Sequence, residues 1–184
     1  MKKYLSILFA IVLAVSCIGL TACGGGSSEE AAPEDTAAET TEETAETSDS
    51  GIDLSANITR SDDSETGEGT VESDLFTLTL PDGASWDYEV VSPEEIVFYN
   101  KAAKDADLGG TLFTLKVLPK DDQTLEIMPG AVVGEKDGKN ITAVFTSDVQ
   151  YDASNEDASK EYMNVYEVVQ KISDDASSSP LKLK

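Results

Sequence analysis

The chain has 184 residues, with 36 acidic and 13 basic side chains and a formal net charge of −23. This acidic balance argues against nucleic acid as a partner and against adsorption to anionic lipid headgroups, because both need a surface of Lys and Arg. The sequence contains no histidine, which removes the usual general base near neutral pH and the imidazole ligands of metal sites. We therefore expect a non-enzymatic protein without a cofactor.

The first 22 residues have the layout of a signal peptide. Lys2 and Lys3 form a basic start, and the apolar run over 5–20 is too short to span a bilayer. The cleavage motif is Leu20, Thr21 and Ala22, followed by Cys23. This arrangement resembles a bacterial lipoprotein signal. The resemblance implies cleavage before Cys23, a diacylglyceryl group on its sulfur, and attachment to the outer face of the cytoplasmic membrane.

Cysteine usage fits an anchor better than a disulfide framework. Cys17 and Cys23 are the only cysteines, so the folded part contains none and can form neither a disulfide nor an ordinary zinc site. Two acyl chains, at about 0.8 kcal/mol per buried methylene, hold a protein stably at a membrane. The alternatives are a secreted protein in which Cys23 is incidental and a cytosolic protein with an apolar N-terminus.

An acidic tract over 23–70 follows the signal. Residues 27–50 contain no Val, Ile, Leu or aromatic side chain, so they cannot bury enough apolar area to offset the entropy of ordering. We predict a disordered tether over 23–70, with an acidic helix over 29–46 as the alternative. Ile52, Leu54 and Ile58 are isolated apolar residues that we interpret as part of a solvated linker, although they also fit a transient strand or a partner-binding segment.

The stretch 71–174 has the apolar pattern of one folded domain. Alternating or short continuous apolar runs predict strands at 75–80, 86–90, 96–99, 113–117, 131–133 and 141–145. The continuous run at 96–99 predicts a strand buried on both faces, and 101–107 predicts one or two helical turns. Asp137-Gly138 between two of the strands favours a type I′ hairpin.

The last element of the domain is an amphipathic helix. Ser154 or Asn155 can cap its start. The residues that recur at spacings of three and four are Ala158, Tyr162, Val165, Tyr166, Val169 and Ile172. The order of elements predicts an α+β fold with an antiparallel sheet of about five or six strands packed against this C-terminal helix. We expect a monomeric domain, followed by a flexible tail over 175–184.

Three short segments carry a resemblance to a known fold. They are Phe76-Thr77-Leu78-Thr79-Leu80-Pro81 leading to Trp86, Val97-Phe98-Tyr99-Asn100-Lys101, and Gly110-Thr111-Leu112-Phe113. Together with a hairpin and a final helix they resemble the PsbP-like domain, which small lipoproteins of Gram-positive bacteria also carry. The resemblance covers roughly 73–172 and implies a binding or assembly factor rather than one shared chemistry.

Carboxylates are the abundant side chains that are candidates for metal binding or acid–base catalysis. Calcium takes six to eight oxygen ligands, which Asp152, Ser154 and Glu156 or the pair Asp105 and Asp107 could supply, although helix capping explains the first group as well. Hydrolysis by a carboxylate pair would need two acids in one cleft with separated pKa values. The adjacent acids of the sequence, Glu94-Glu95, Asp105-x-Asp107 and Asp121-Asp122, favour solvated positions instead.

Aromatic side chains are the remaining candidates for binding. Trp86, Tyr99 and Tyr162, from a wider set that includes Tyr88 and Tyr166, could line a ligand groove, with core packing as the alternative. We expect a lipid-anchored binding or accessory module at the cell surface whose protein or cell-envelope partner the sequence does not name. The alternatives are a calcium or small-ligand binding lipoprotein, a carboxylate-pair hydrolase, and a purely structural stalked protein.

Overall fold

The computed structural model describes residues 51–174 and 177–184, which form two antiparallel sheets and three helices. A four-stranded sheet has the order β1-β2-β3-β9, and a five-stranded sheet has the order β4-β5-β6-β8-β7. The strands are β1 Thr59–Asp62, β2 Gly69–Glu72, β3 Phe76–Leu80, β4 Trp86–Ser92, β5 Glu95–Asn100, β6 Thr111–Pro119, β7 Gly130–Lys136, β8 Lys139–Val144 and β9 Leu181–Leu183. The helices are α1 Lys101–Asp105, α2 Thr124–Ile127 and α3 Glu156–Val169, and a 3-10 turn at Gln170–Ile172 extends α3.

The predicted α+β class with antiparallel strands is confirmed, and each of the six predicted strands is present. The prediction of one sheet with five or six strands was wrong, because β3 pairs with β2 and β9 in a second sheet. Two of the strands that the pattern missed, β1 and β2, are short and mostly polar. β1 reads Thr-Arg-Ser-Asp and β2 reads Gly-Thr-Val-Glu, so backbone pairing rather than apolar alternation defines them.

The folded domain begins well before residue 71, which corrects the predicted extent of the tether. Ile52 and Leu54 are buried in the core, and the Leu54 N–H donates to the Pro93 carbonyl at 2.7 Å. Residues 59–62 then pair with 69–72 as β1 and β2. The rest of the predicted tether, residues 23–50, lies outside the described residues.

The predicted flexible tail over 175–184 ends in a strand. β9 pairs antiparallel with β3 through Leu78 opposite Leu181 and Phe76 opposite Leu183, and Leu181 is buried. Leu183 lies so close to Gly134 of β7 that a Cβ at that glycine would collide with it. The alternation of Leu181 and Leu183 was therefore a strand signal, and it was too short to stand out from the Ser-rich residues before it.

Two local predictions have different outcomes. Asp137 and Gly138 both have positive φ, +48° and +78°, and form the two-residue loop between β7 and β8, which confirms the tight hairpin. The prediction that 96–99 is buried on both faces was wrong. Ile96 and Phe98 are buried, whereas Val97 and Tyr99 are only half-buried because they face the other side of the sheet.

Asparagine side chains cap the starts of α1 and α3. The Asn155 side chain accepts hydrogen bonds from the N–H groups of Asp157 and Ala158, so Asn155 rather than Ser154 caps α3. Asn100 caps α1 through the N–H of Ala103 at 2.9 Å. None of the helices in the described part of the chain is long and apolar enough to cross a bilayer.

One apolar core joins the two sheets and α3. Phe98 of β5 stacks on Phe113 of β6 with ring centroids 4.6 Å apart, and it meets Phe76 of β3 edge to face at 6.3 Å. Because Phe76 belongs to the other sheet, this aromatic contact connects the two layers. α3 adds Tyr162 and Val165 to the same core.

Candidate functional site

The predicted anchor residues and the other predicted site residues have different outcomes in the structure. Leu20, Thr21, Ala22 and Cys23 lie outside the described residues. The metal candidates and the aromatic candidates lie within them.

Trp86 is a core residue with no free ring face for a ligand. Its indole N–H donates to the Pro81 carbonyl at 3.1 Å, and the guanidinium carbon of Arg60 lies 4.2 Å from its ring centroid. A Cβ at Gly69 would lie 2.7 Å from Cζ2 of the indole, so the backbone of β2 closes on the ring edge. Arg60 in turn donates to the Gly83 carbonyl and pairs with Asp62 at 2.9 Å.

Tyr99 points to the opposite side of the five-stranded sheet. Successive strand residues alternate between faces, so Tyr99 lies on the outer face while Phe98 lies in the core with Trp86. The Lys104 ammonium lies 3.8 Å from the Tyr99 ring centroid and 2.6 Å from a Glu89 carboxylate oxygen. The predicted groove of Trp86, Tyr99 and Tyr162 is therefore wrong as a set.

Tyr162 is the predicted aromatic residue that does lie beside a cleft. Its ring stacks between Tyr151, at 4.8 Å between centroids, and Tyr166, at 5.5 Å. Its hydroxyl donates to the Thr111 carbonyl at 2.6 Å, and only 3% of the residue is exposed. Tyr162 thus anchors a row of three tyrosines whose outer members, Tyr151 and Tyr166, are half-buried.

Tyr166, at the outer end of this row, lines two separate clefts. One, of 200 Å³, is lined by Thr146, Ser147, Asp148, Val149, Gln150, Tyr151, Tyr162, Met163 and Tyr166. The other, of 420 Å³, is lined by Pro129, Gly130, Phe145, Tyr166, Gln170, Ser173 and Asp174. We call the two clefts together the Tyr166 groove. It combines aromatic rings with amide, hydroxyl and carboxylate groups, which is the composition of a ligand-binding surface.

The local sequence explains why the groove forms. Tyr162 and Tyr166 are four residues apart on α3 and so share one face of the helix. Residues 146–151 are held opposite them because the Gly110 N–H donates to the Gln150 carbonyl at 3.1 Å. Gly110 has φ +74°, and a Cβ there would lie 2.7 Å from the Asn100 carbonyl, so the position requires glycine. The Phe145 N–H donates to the Pro129 carbonyl at 2.8 Å, which places the second cleft.

Sequence reasoning missed most of the groove. Tyr166 was in the wider aromatic set, but Phe145, Tyr151, Asp148 and Asp174 were not candidates. The available signal was the i, i+4 pair on α3 together with Tyr151 just ahead of the helix cap. Nothing in the spacing showed that the loop over 146–151 folds back onto α3.

The predicted metal ligands do not assemble into a site in the structure. Within residues 51–174 and 177–184, no group of three or more His, Cys, Asp or Glu side chains converges as metal ligands would. Asp152 accepts from the hydroxyl and the N–H of Ser154, at 2.6 and 2.9 Å, and these hydrogen bonds hold the pKa of Asp152 below its usual value. Glu156 pairs with Lys160 at 2.8 Å. The loop before α3 is thus shaped by capping interactions.

Asp105 and Asp107, the second metal candidate, do not line the same depression. The acids that are adjacent in sequence contact different partners. Asp105 lines a polar depression of 310 Å³ with Asp82, Lys101 and Glu161, whereas Asp107 does not line it. The adjacent acids Glu94 and Glu95 lie beside different lysines, Lys139 at 3.8 Å and Lys116 at 3.0 Å. Asp122 accepts from the Thr124 N–H at 2.7 Å.

Comparisons of the chain with protein-family models, curated protein sequences and solved structures found no match. We therefore infer a function from the groove and from the N-terminal sequence. The likeness to lipoproteins and to the PsbP-like fold stays a resemblance of sequence motifs.

Burial makes the Tyr162 hydroxyl a determinant of alkaline stability. Burial raises its pKa, and the neighbouring Tyr166 and Tyr151 act in the same direction. In the unfolded chain a tyrosine ionises near pH 10. Above that pH the unfolded state loses its proton first, so the free energy of unfolding falls as pH rises.

We expect Tyr162→Phe to lower the free energy of unfolding by about 1–2 kcal/mol at pH 7, because the Thr111 carbonyl loses its donor. The deficit relative to the parent protein should shrink between pH 10 and 11, since phenylalanine cannot ionise. Urea denaturation at pH 7 and at pH 10–11 measures the free energy of unfolding of the parent and the variant, with Tyr166→Phe as the matched control. A deficit that stays constant with pH would mean that the Tyr162 hydroxyl does not determine alkaline stability.

Proposed function

We propose that this protein is a lipid-anchored, extracytoplasmic binding module without catalytic activity, and that the Tyr166 groove is its binding surface. The observation that carries the proposal is the row of Tyr151, Tyr162 and Tyr166 beside two clefts of 200 and 420 Å³. The larger cleft alone lies in the volume range of small-molecule sites. Rings with polar tips give contact area at low entropic cost, while Gln, Ser and Asp groups orient a ligand.

The anchor is the second part of the proposal. Cys23 after Leu20, Thr21 and Ala22 matches the cleavage point of a lipoprotein signal, which would place the domain on the outer face of the cytoplasmic membrane of a Gram-positive cell. Residues 24–50 would then form the acidic tether to a domain that starts at residue 51. We also propose that this domain is PsbP-like, a reading supported by its antiparallel sheets, its hairpin and its last long helix.

The anchor has a direct test. Cells that express the full chain are fed a fatty-acid probe, and we expect the parent protein to be labelled and Cys23→Ala to be unlabelled. Cys17→Ala serves as the matched control and should keep the label, because it lies inside the proposed signal. Labelling that persists in Cys23→Ala would contradict the anchor.

The groove is tested by a melting-shift screen of the full chain in detergent. The solutes are amines, neutral sugars, short peptides, inorganic phosphate and millimolar calcium. A solute at 100 times its Kd stabilises the native state by about 2.7 kcal/mol, which raises the Tm by at least about 5 °C. We expect one class to give this shift with the parent protein and with Tyr99→Ala, and to lose it with Tyr166→Ala.

Tyr99→Ala is a suitable control because Tyr99 is a half-buried tyrosine on the outer face of the five-stranded sheet. A calcium shift that Tyr166→Ala retains would favour the calcium-binding alternative. If no solute gives a shift that depends on Tyr166, the groove is not the binding surface. Turnover of a sugar or peptide substrate would contradict the absence of catalysis.

A further inference from the structure

The Tyr166 groove is lined by acidic side chains and by no basic ones. Its lining contains two carboxylates, Asp148 and Asp174, and neither Lys nor Arg. Both aspartates are exposed, and neither carboxylate forms an ion pair within the described residues. An anionic ligand such as a phosphate ester would meet only like charge there.

Six lysines of the described residues pair with glutamates outside the groove lining. The lysine–glutamate pairs are Lys104–Glu89, Lys116–Glu95, Lys120–Glu135, Lys139–Glu94, Lys160–Glu156 and Lys184–Glu72. None of these lysines lines either cleft, and Lys171, three residues before Asp174, does not line them either, so the two groove carboxylates can pair with an external cation.

The two carboxylates line different clefts, so a cationic ligand that reaches both must be elongated. Asp148 lines the cleft next to Tyr151, and Asp174 lines the cleft next to Phe145. The half-buried Tyr166 lines both clefts and is the residue that they share. A ligand that occupies both clefts and contacts both aspartates would also have Tyr166 within its site.

The same domain already contains this kind of contact within its own chain. On the outer face of the sheet, the Lys104 ammonium lies 3.8 Å from the Tyr99 ring centroid and 2.6 Å from a Glu89 oxygen. The carboxylate and the ring satisfy one alkylammonium together. Each cleft of the groove likewise has tyrosine and aspartate side chains in its lining, and neither has a lysine.

We propose that the Tyr166 groove binds a linear aliphatic polyamine, with one ammonium at Asp148, another at Asp174 and the methylene chain across Tyr166. This inference rests on the proposed function and adds the chemical class of the ligand. The methylenes pack on the ring, and the ammonium groups gain cation–π and charge-assisted contacts.

The test is isothermal titration calorimetry of the full chain in detergent with spermidine, in 150 mM salt. The chain carries a formal charge of −23, so diffuse attraction must be separated from groove binding. The double variant Asp148→Asn/Asp174→Asn removes the two groove carboxylates. The matched control, Asp121→Asn/Asp137→Asn, removes two exposed carboxylates that lie outside the groove.

We expect one saturable site in the parent protein, a loss of affinity of at least tenfold in the groove variant and in Tyr166→Ala, and a change below twofold in the control. Equal weakening in the control, or the absence of saturable binding, overturns the polyamine assignment. A neutral trisaccharide that binds in a Tyr166-dependent manner while spermidine does not would overturn it and leave the binding function intact. If no solute binds through Tyr166, both proposals fail.

Discussion

Phe98→Ala is expected to lower the free energy of unfolding by about 3–5 kcal/mol. Phe98 is fully buried, and its ring stacks on Phe113 at 4.6 Å and meets Phe76 at 6.3 Å. The substitution therefore removes a ring that both sheets contact, and the tightly packed surroundings can close the cavity only in part.

Urea denaturation followed by circular dichroism measures this loss. The matched control is Tyr99→Ala, which removes the next aromatic ring along β5 but on the outer face. It should cost about 1 kcal/mol, mainly the contact with the Lys104 ammonium. Equal losses for the two variants would mean that Phe98 does not connect the sheets.

Leu54→Ala has the second largest expected effect, a loss of about 2–5 kcal/mol in the free energy of unfolding. Leu54 is fully buried in the same core as Phe98, although it lies in a polar stretch of sequence. A hydrogen bond from its N–H to the Pro93 carbonyl holds the segment next to the turn between β4 and β5. Truncation of the side chain should leave a cavity under that turn.

The control for Leu54→Ala is Ile127→Ala, because Ile127 is 82% exposed at the end of α2. Its truncation should change the free energy of unfolding by no more than about 0.5 kcal/mol. If Leu54→Ala had as little effect on urea denaturation as Ile127→Ala, residues 51–58 would not contribute to the core, and the folded domain would begin at β1.

The functional proposals depend on two separate parts of the chain. Attachment to the membrane depends on Cys23 and its preceding motif, and ligand binding depends on Tyr166 and its neighbours. Because the two tests use different variants and different measurements, each proposal can fail alone. The groove lies between α3 and the strand ends near Pro129 and Phe145, so its shape depends on how α3 packs on the five-stranded sheet.

Local patterns predicted the elements whose signal is contained in a few neighbouring residues. Asp137-Gly138 produced the hairpin because both positions tolerate positive φ, and Asn155 produced the start of α3 because its side chain satisfies free N–H groups. The alternation at 76–80 predicted β3, but it did not show that β3 belongs to a second sheet. Pairing partners depend on distant residues, which short-range periodicity does not encode.

The candidate site was predictable only in its residue types. Aromatic side chains were expected to line a groove, yet Trp86 is sealed by Arg60 and Gly69, and Tyr99 faces the other side of the sheet. A strand residue can point to the core or to solvent, and the face it takes depends on which side the other layer covers. The groove formed instead where the loop over 146–151 folds onto α3.

The sequence by itself determined what this protein lacks and where its local elements lie. Without histidine, and without cysteine after Cys23, the folded part has no imidazole base, no thiol nucleophile and no His or Cys ligand for zinc, whatever its fold. Only the tertiary structure decided that Ile52, Leu54 and Leu181 belong to the core and that three tyrosines line one groove. The physical reason is that burial and pairing depend on contacts between residues far apart in sequence, whereas composition, capping and turn chemistry act within a few residues.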